Sequence, residues 1–231
     1  MNLNSCPGYS HKREASNIIR TVRNLSLIAV VLAFCNSALP ARTQAGDYRS
    51  VAIRTRTGYL WVNNEPDNWY TLEIPAESVT RTSNTRKVFS VDGMLLQIVT
   101  TGTNKFLGER AREALDDKAM LEAHRDWEAK DSEQSYMTKL TIESSWQKLT
   151  NGKDALLWKF NVPASADTGL KKEVYLTLVK GESVLMLGGI VTEEIKEAAT
   201  ARLLITTASS LKVSDKPIEL NQLKDSIRKG P

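Results

Sequence analysis

The chain has 231 residues, 31 Lys plus Arg against 27 Asp plus Glu, a formal charge of +4, and two cysteines. Five of the basic residues (Lys12, Arg13, Arg20, Arg23 and Arg42) and one acid (Glu14) fall in the first 45 positions, so residues 46–231 hold 26 of each sign and are neutral. Both cysteines, Cys6 and Cys35, fall there too, and the remaining sequence excludes a disulfide framework, a thiolate nucleophile, cysteine-ligated metal and any electrostatic case for nucleic acid.

The first 45 residues read as a signal peptide. A basic segment leads into the uncharged run LSLIAVVLAFC at 25–35, and small-residue sites follow at LPA (39–41) and TQA (43–45). Cleavage after Ala41 or Ala45 fits this pattern, giving an exported, periplasmic or secreted product. Retention as an anchor is disfavoured because a span needs about 20 apolar residues. Lipidation at Cys35 is disfavoured because Phe34 stands where a small residue is wanted. With the leader removed, no integral membrane span is expected in the mature chain.

Residues 46–213 read as one domain. YRSVAIRT and YLWVNNEPDNWYTLEIP predict strands joined by the polar turn NNEPDN, and 76–87 is a polar connector. Three turn signals then sit between apolar runs: Asp92-Gly93, Asn151-Gly152 and Lys180-Gly181. Asp-Gly and Asn-Gly favour the positive φ angles of a type I′ hairpin turn, so three hairpins are expected. Leu156, Trp158, Phe160 and Val162 share one face of a strand while Lys159 and Asn161 share the other, and Val174, Leu176 and Leu178 repeat the period of two.

Two amphipathic helices are predicted. The first spans about 110–131, with Ala111, Leu115, Ala119, Ala123 and Trp127 at four-residue steps, widened by Ala114, Met120 and Leu121. The second spans 193–211, with Ile195, Ala198, Ala201, Leu204, Ala208 and Leu211 on one side and Thr192 as its N-cap. Residues 214–231 read as a loosely held tail in which Ile218, Leu220 and Leu223 are able to dock. The fold class is therefore α+β, an antiparallel sheet of hairpins with two helices packed on it.

Site motifs are sparse. VLMLGGIVTEE (184–194) runs from an apolar strand through two glycines, but Ile190, Val191 and Thr192 follow where a dinucleotide loop needs a third glycine and a phosphate loop needs Lys and Ser or Thr. Gly188 and Gly189 are therefore expected inside a strand, at a close backbone approach. His124 is the one histidine beyond the leader, and neither it nor Glu122, Asp126 and Glu128 beside it have ligand spacing, so no metal or cofactor is expected. Ser209 and Lys212 match Ser-x-x-Lys without its companion motifs, and Asp116-Asp117 and Glu193-Glu194 suit solvated helix faces. No catalytic residue is assigned. Tyr59, Trp61, Trp69 and Tyr70 flank the NNEPDN turn, where they either display rings for a partner or cover one end of the core.

The order of WYTLEIP, KVFSVDGMLLQIVTTG, a helix, SSWQKLTNGKDALLWKFNVP, KKEVYLTLVKGESVLMLGG and TEEIKEAATARLLITTASSL resembles the PsbP-like fold, shared by the photosystem accessory protein, the Ran-binding Mog protein and small bacterial envelope proteins. The resemblance covers about residues 68–213, and it implies an α/β/α sandwich and a non-enzymatic binding or assembly role toward a protein or another envelope component. The alternative from another class is an envelope hydrolase whose carboxylates only the fold brings together. A cleft holding converging acids of shifted pKa would favour it.

Overall fold

The computed structural model divides the chain into Met1–Ala41 and Arg42–Pro231 and describes residues 50–82, 87–108, 115–166 and 168–229. The leader at 1–45, with both cleavage sites, lies outside the described residues.

Among the described residues, eleven strands form two antiparallel sheets. The smaller contains β1 (Val51–Arg54), β2 (Tyr59–Glu65), β3 (Asn68–Ile74) and β11 (Lys212–Val213) in the order β1-β2-β3-β11. The larger contains β4 (Val79–Arg81), β5 (Val88–Val91), β6 (Met94–Gly102), β7 (Glu143–Lys148), β8 (Asp154–Asn161), β9 (Lys172–Lys180) and β10 (Ser183–Val191) in the order β4-β5-β6-β10-β9-β8-β7. The α-helices among the described residues are α1 (Asn104–Leu107), α2 (Asp117–Tyr136), α3 (Glu197–Ser209) and α4 (Leu220–Lys229). Among the described residues no helix is long and apolar enough to cross a membrane.

Strand alternation sorts the side chains between two cores. Leu176, Leu178, Leu185 and Leu187 face α3 and the inner face of the smaller sheet, joining Trp61, Tyr70, Leu72, Leu203, Leu204 and Ala208. The intervening positions, Leu156, Trp158, Phe160, Tyr175, Val184 and Met186, face the other way onto Met120 and Leu121 of α2. Each helix is thus held by apolar burial, about 1.5–3 kcal/mol for a fully enclosed leucine such as Leu204 or Leu121. The hairpins are therefore divided between two sheets, and the larger sheet carries a helix on each face.

The turns follow local chemistry with two adjustments. Asp92 and Gly93 both take positive φ (49° and 82°) between β5 and β6, as a type I′ turn requires, and the Asp92 carboxylate also accepts from the backbone N–H groups of Ser78 and Glu77. Between β7 and β8 the connection is five residues long rather than two. Only Gly152 there is left-handed (φ 83°), because Leu149 N–H closes on Lys153 O and the Asn151 side chain bridges Lys153 N–H and Ala208 O. The β9–β10 turn is Gly181-Glu182, one residue later than the Lys180-Gly181 signal. Likewise β2 and β3 run through most of NNEPDN, leaving Pro66 and Asp67 as the turn.

Both helices begin later than expected. The first starts at Asp117, where the Asp116 side chain accepts Ala119 N–H at 2.8 Å as a true N-cap, and it continues to Tyr136. Its buried stripe is Met120, Leu121, His124 and Ala129, which rotates Trp127 to 38% exposure. The expected stripe members Ala111 and Ala114 lie outside the described residues. The second starts at Glu197, because Thr192 caps a separate turn through the N–H groups of Glu194 and Ile195. Glu193 and Glu194 are therefore outside the helix. Its inner face carries Thr200, Leu203, Leu204, Thr207 and Ala208, while Ala198 is exposed.

Gly188 and Gly189 sit inside β10, paired with Tyr175 and Val174 of β9. A Cβ on Gly188 would stand 3.1 Å from the Tyr175 ring, and one on Gly189 would stand 2.5 Å from Thr200 Cγ2 and 3.2 Å from Leu95 O. The pair thins the strand on both faces, letting an aromatic ring approach one side and α3 the other.

Candidate functional site

Strand parity puts Tyr59, Trp61 and Tyr70 on the core side of the β2–β3 hairpin, with Tyr59 at the sheet end, and Trp69 on the other side. Trp61 and Tyr70 project inward and are 0% and 1% exposed, so in this conformation these two rings cover the core rather than face a partner. Trp61 packs edge-on against Phe89 with centroids 5.1 Å apart. The Tyr70 hydroxyl lies 3.3 Å from Thr100 Oγ1, the Lys180 ammonium sits over its ring at 5.6 Å, and burial pushes its pKa to about 12. Tyr59 and Trp69 reach the surface in part.

Tyr59 stands in a groove of about 400 Å³ at the end of the smaller sheet. Its floor is apolar, from Leu60, Ile74 and Ile227, and its rim carries hydroxyls from Thr57, Ser210 and Ser226. A second depression shares Arg56, Thr57, Gly58 and Pro75 with it, so the β1–β2 turn is lined on both sides. Arg54 lies over the Tyr59 ring at 4.9 Å, donates to its hydroxyl at 2.9 Å and also donates to Glu77 O, which fixes the aromatic wall. The turn closes through Thr55 N–H to Gly58 O, and Gly58 is dictated by space, since a Cβ there would meet Ile74 O at 2.2 Å.

Opposite the turn, Ser210 Oγ accepts from Glu73 N–H at 2.6 Å and also contacts Glu73 O and Thr207 O, tying α3 to β3. The tail supplies the remaining wall. Asn64, 4% exposed, donates to Ile218 O and accepts from Ile218 N–H, and Ser214 N–H donates to Trp69 O. Beyond this clasp α4 presents Leu220, Leu223 and Ile227, all half-buried.

Ionisable groups of shifted pKa gather elsewhere, in the core between α2 and the larger sheet. His124 is fully enclosed, with Nε2 3.6 Å from the Glu128 carboxylate and neither ring nitrogen hydrogen-bonded. Burial lowers its pKa to about 4, while burial and the nearby Asp131 raise that of Glu128 to about 7. Glu173, also buried, accepts from the hydroxyls of Tyr136 and Tyr175, whose pKa values burial and this carboxylate drive upward. Trp158 stacks on Tyr175 at 4.3 Å. This cluster opens into neither groove described above. Among the described residues no group of three or more His, Cys, Asp or Glu is gathered to hold a metal ion.

The remaining motifs resolve into structure. Lys212 pairs with Glu73 at 3.4 Å, and Glu193 pairs with Lys171 at 2.7 Å. At the start of α3, Glu197 is clamped by Lys159 and Lys172, whose hydrogen bonds hold its pKa down; this places a carboxylate and its two lysines where a phosphate would have to bind. The His124–Glu128 spacing of four residues on one helix is the sequence signal for the buried pair. Glu173 has no such signal, being one acid within the apolar run of β9.

No protein-family model matches the chain. No curated protein matches it either. Among solved structures it is similar to the solution structure of cyanobacterial PsbP (CyanoP) from Synechocystis sp. PCC 6803, at 11% identity, covering 76% of this chain and 99% of that one with a TM-score of 0.44. At that identity the likeness says nothing of function; the α+β architecture, with a helix on each face of its larger antiparallel sheet, rests on the strands and helices themselves.

Proposed function

We propose that the protein is an exported, non-enzymatic binding or assembly module of the cell envelope, and that it engages a protein or another envelope component through the Tyr59 groove. The observation that carries this reading is the groove's composition: a partly exposed ring fixed by Arg54, an apolar floor and a rim of hydroxyls, in an open concavity at a sheet end. Such a surface suits an apolar anchor with polar surroundings. The basic leader supports export, and the neutral charge of residues 46–231 supports a partner other than nucleic acid.

The hydrolase alternative needs shifted acids facing a cleft. Glu128 is shifted, but Glu128 and Glu173 lie against the second core with their partners, which favours the binding reading. The test is photo-crosslinking in cells that make the full chain, with a benzophenone residue at Thr57 and, as control, at Lys130 on the exposed side of α2. A discrete adduct from position 57 that is absent from position 130 and lost on Tyr59→Ala is expected. Equal adducts from both positions would remove the groove from consideration. N-terminal sequencing of the same exported product should begin at Arg42 or Gly46, and recovery of residues 1–24 on it would refute the cleaved leader.

A further inference from the structure

We propose that the His124–Glu128 pair is a proton-operated latch that holds α2 and α1 against the larger sheet most firmly in mildly acidic solution. The geometry leaves the pair few alternatives. The His124 ring is wedged edge-on against Phe106 of α1, with centroids 5.1 Å apart, and lies 5.9 Å from Trp127. It is 0% exposed and its two nitrogens have no hydrogen-bond partner, so the polar group within reach is the Glu128 carboxyl, one helical turn on at 3.6 Å.

Among the described residues the surroundings supply no other cation. On α2, Asp131 adds negative charge beside Glu128, and Arg125 turns instead to Asp126 and Ser144. From β9 come Tyr175, which feels the Glu128 charge, and Glu173, already occupied by the Tyr175 and Tyr136 hydroxyls. The neighbouring strands β8 and β10 contribute Trp158, Phe160, Val184 and Met186, and Lys105 of α1 is exposed. A fully ionised pair in this enclosure would bear the desolvation of two charges for one long contact, so the neutral pair is the resting form.

The signs give a window. The folded protein keeps the Glu128 proton up to about pH 7, whereas the unfolded chain loses it near 4.5; this contribution is complete at low pH and declines as pH rises from 4.5 through 7. The folded protein refuses a proton on His124 until about pH 4, whereas the unfolded chain accepts it near 6.5; this contribution is complete above 6.5 and declines as pH falls toward 4. Between the two ordinary values each is partly lost, and their sum has a shallow maximum around pH 5–6. The unit that responds is the α1–α2 layer, since Phe106, Met120, Leu121 and His124 all belong to it.

The experiment is hydrogen exchange of the full chain from pH 4 to 8, corrected for intrinsic rates, with the α2 amides compared with those of α3 on the opposite face. Protection of α2 should pass through a shallow maximum near pH 5–6 and fall about twofold by pH 4 and about two- to threefold by pH 8, without a parallel change in α3. Glu128→Gln should flatten the alkaline limb, and His124→Leu the acid limb. Identical profiles in wild type and variants, or parallel loss in α3, would overturn the latch. If His124→Leu does not fold, Glu128→Gln decides the alkaline limb. Carbon-13 spectra of labelled histidine in the wild type then decide the acid limb: a His124 resonance titrating near 6.5 refutes it, and one titrating near 4 supports it.

Discussion

Replacing Gly189 by alanine adds a single methyl group, and its surroundings specify the outcome. The new Cβ would lie 2.5 Å from Thr200 Cγ2 and 3.2 Å from Leu95 O, with Leu204 Cδ2 at an ordinary 3.8 Å. The threonine cannot swing clear cheaply, because its Oγ1 bonds Ile190 O at 3.1 Å and reaches Lys196 O, and it is fully buried on the inner face of α3. The expected cost is about 1–3 kcal/mol from overpacking, against a total stability of roughly 5–15 kcal/mol. At this domain size that is a fall in Tm of about 2–4 °C per kcal/mol. The decisive measurement is a double-mutant cycle with Thr200→Ser, which deletes Cγ2 while keeping the hydroxyl. Alone it should cost about 1 kcal/mol for the lost methyl. Combined with Gly189→Ala it should recover about 1 kcal/mol or more of the overpacking, read from urea midpoints at constant m. Strict additivity of the two changes would refute the claim that the glycine exists to admit α3.

On the other face, Gly188→Ala should cost less, about 1 kcal/mol, because the Tyr175 ring and Gln97 Oε1 at 3.1–3.3 Å need yield only slightly; near-ultraviolet circular dichroism of the aromatic core would register the shift. Asn64→Ala removes both bonds to the Ile218 backbone and should cost about 1–3 kcal/mol, seen as faster tryptic cleavage at Lys224 and Arg228 than in wild type. Gly58→Ala drives a Cβ into Ile74 O and should lower the urea midpoint by the equivalent of about 1–3 kcal/mol; an unchanged midpoint would mean that the β1–β2 turn relaxes freely. Nucleotide titration should give no saturable binding in the wild type or in folded Gly188 and Gly189 variants, since Glu197 and its two lysines hold the start of α3.

The sequence by itself determined β8, β9 and β10 at the centre of the larger sheet, whereas β4 formed within 76–87, which reads as a polar connector. Alternation in 156–162, 174–178 and 184–187 assigned each residue to a face, because a pleated strand sends neighbours to opposite sides whatever packs there. It also determined the Asp92-Gly93 turn and the placement of Gly188-Gly189 within a strand, since both rest on local backbone and steric requirements. Helix limits and helix phase were decided by tertiary structure. Asp116 and Thr192 are both competent caps, and only the path of the chain assigns one to a helix and the other to a turn. Trp127 fits the apolar stripe by hydrophobicity, yet α2 turns His124 inward and leaves Trp127 partly exposed. Parity alone could not say which face of the β2–β3 hairpin would meet the core, and this choice buried Trp61 and Tyr70. The Tyr59 groove unites residues 55–60, 73–75, 206–210 and 226–227, and Glu173 meets Tyr136 across 37 positions. Their proximity comes from sheet pairing and helix docking, which depend on interactions between segments far apart in the chain, whereas the period of two is written into each strand.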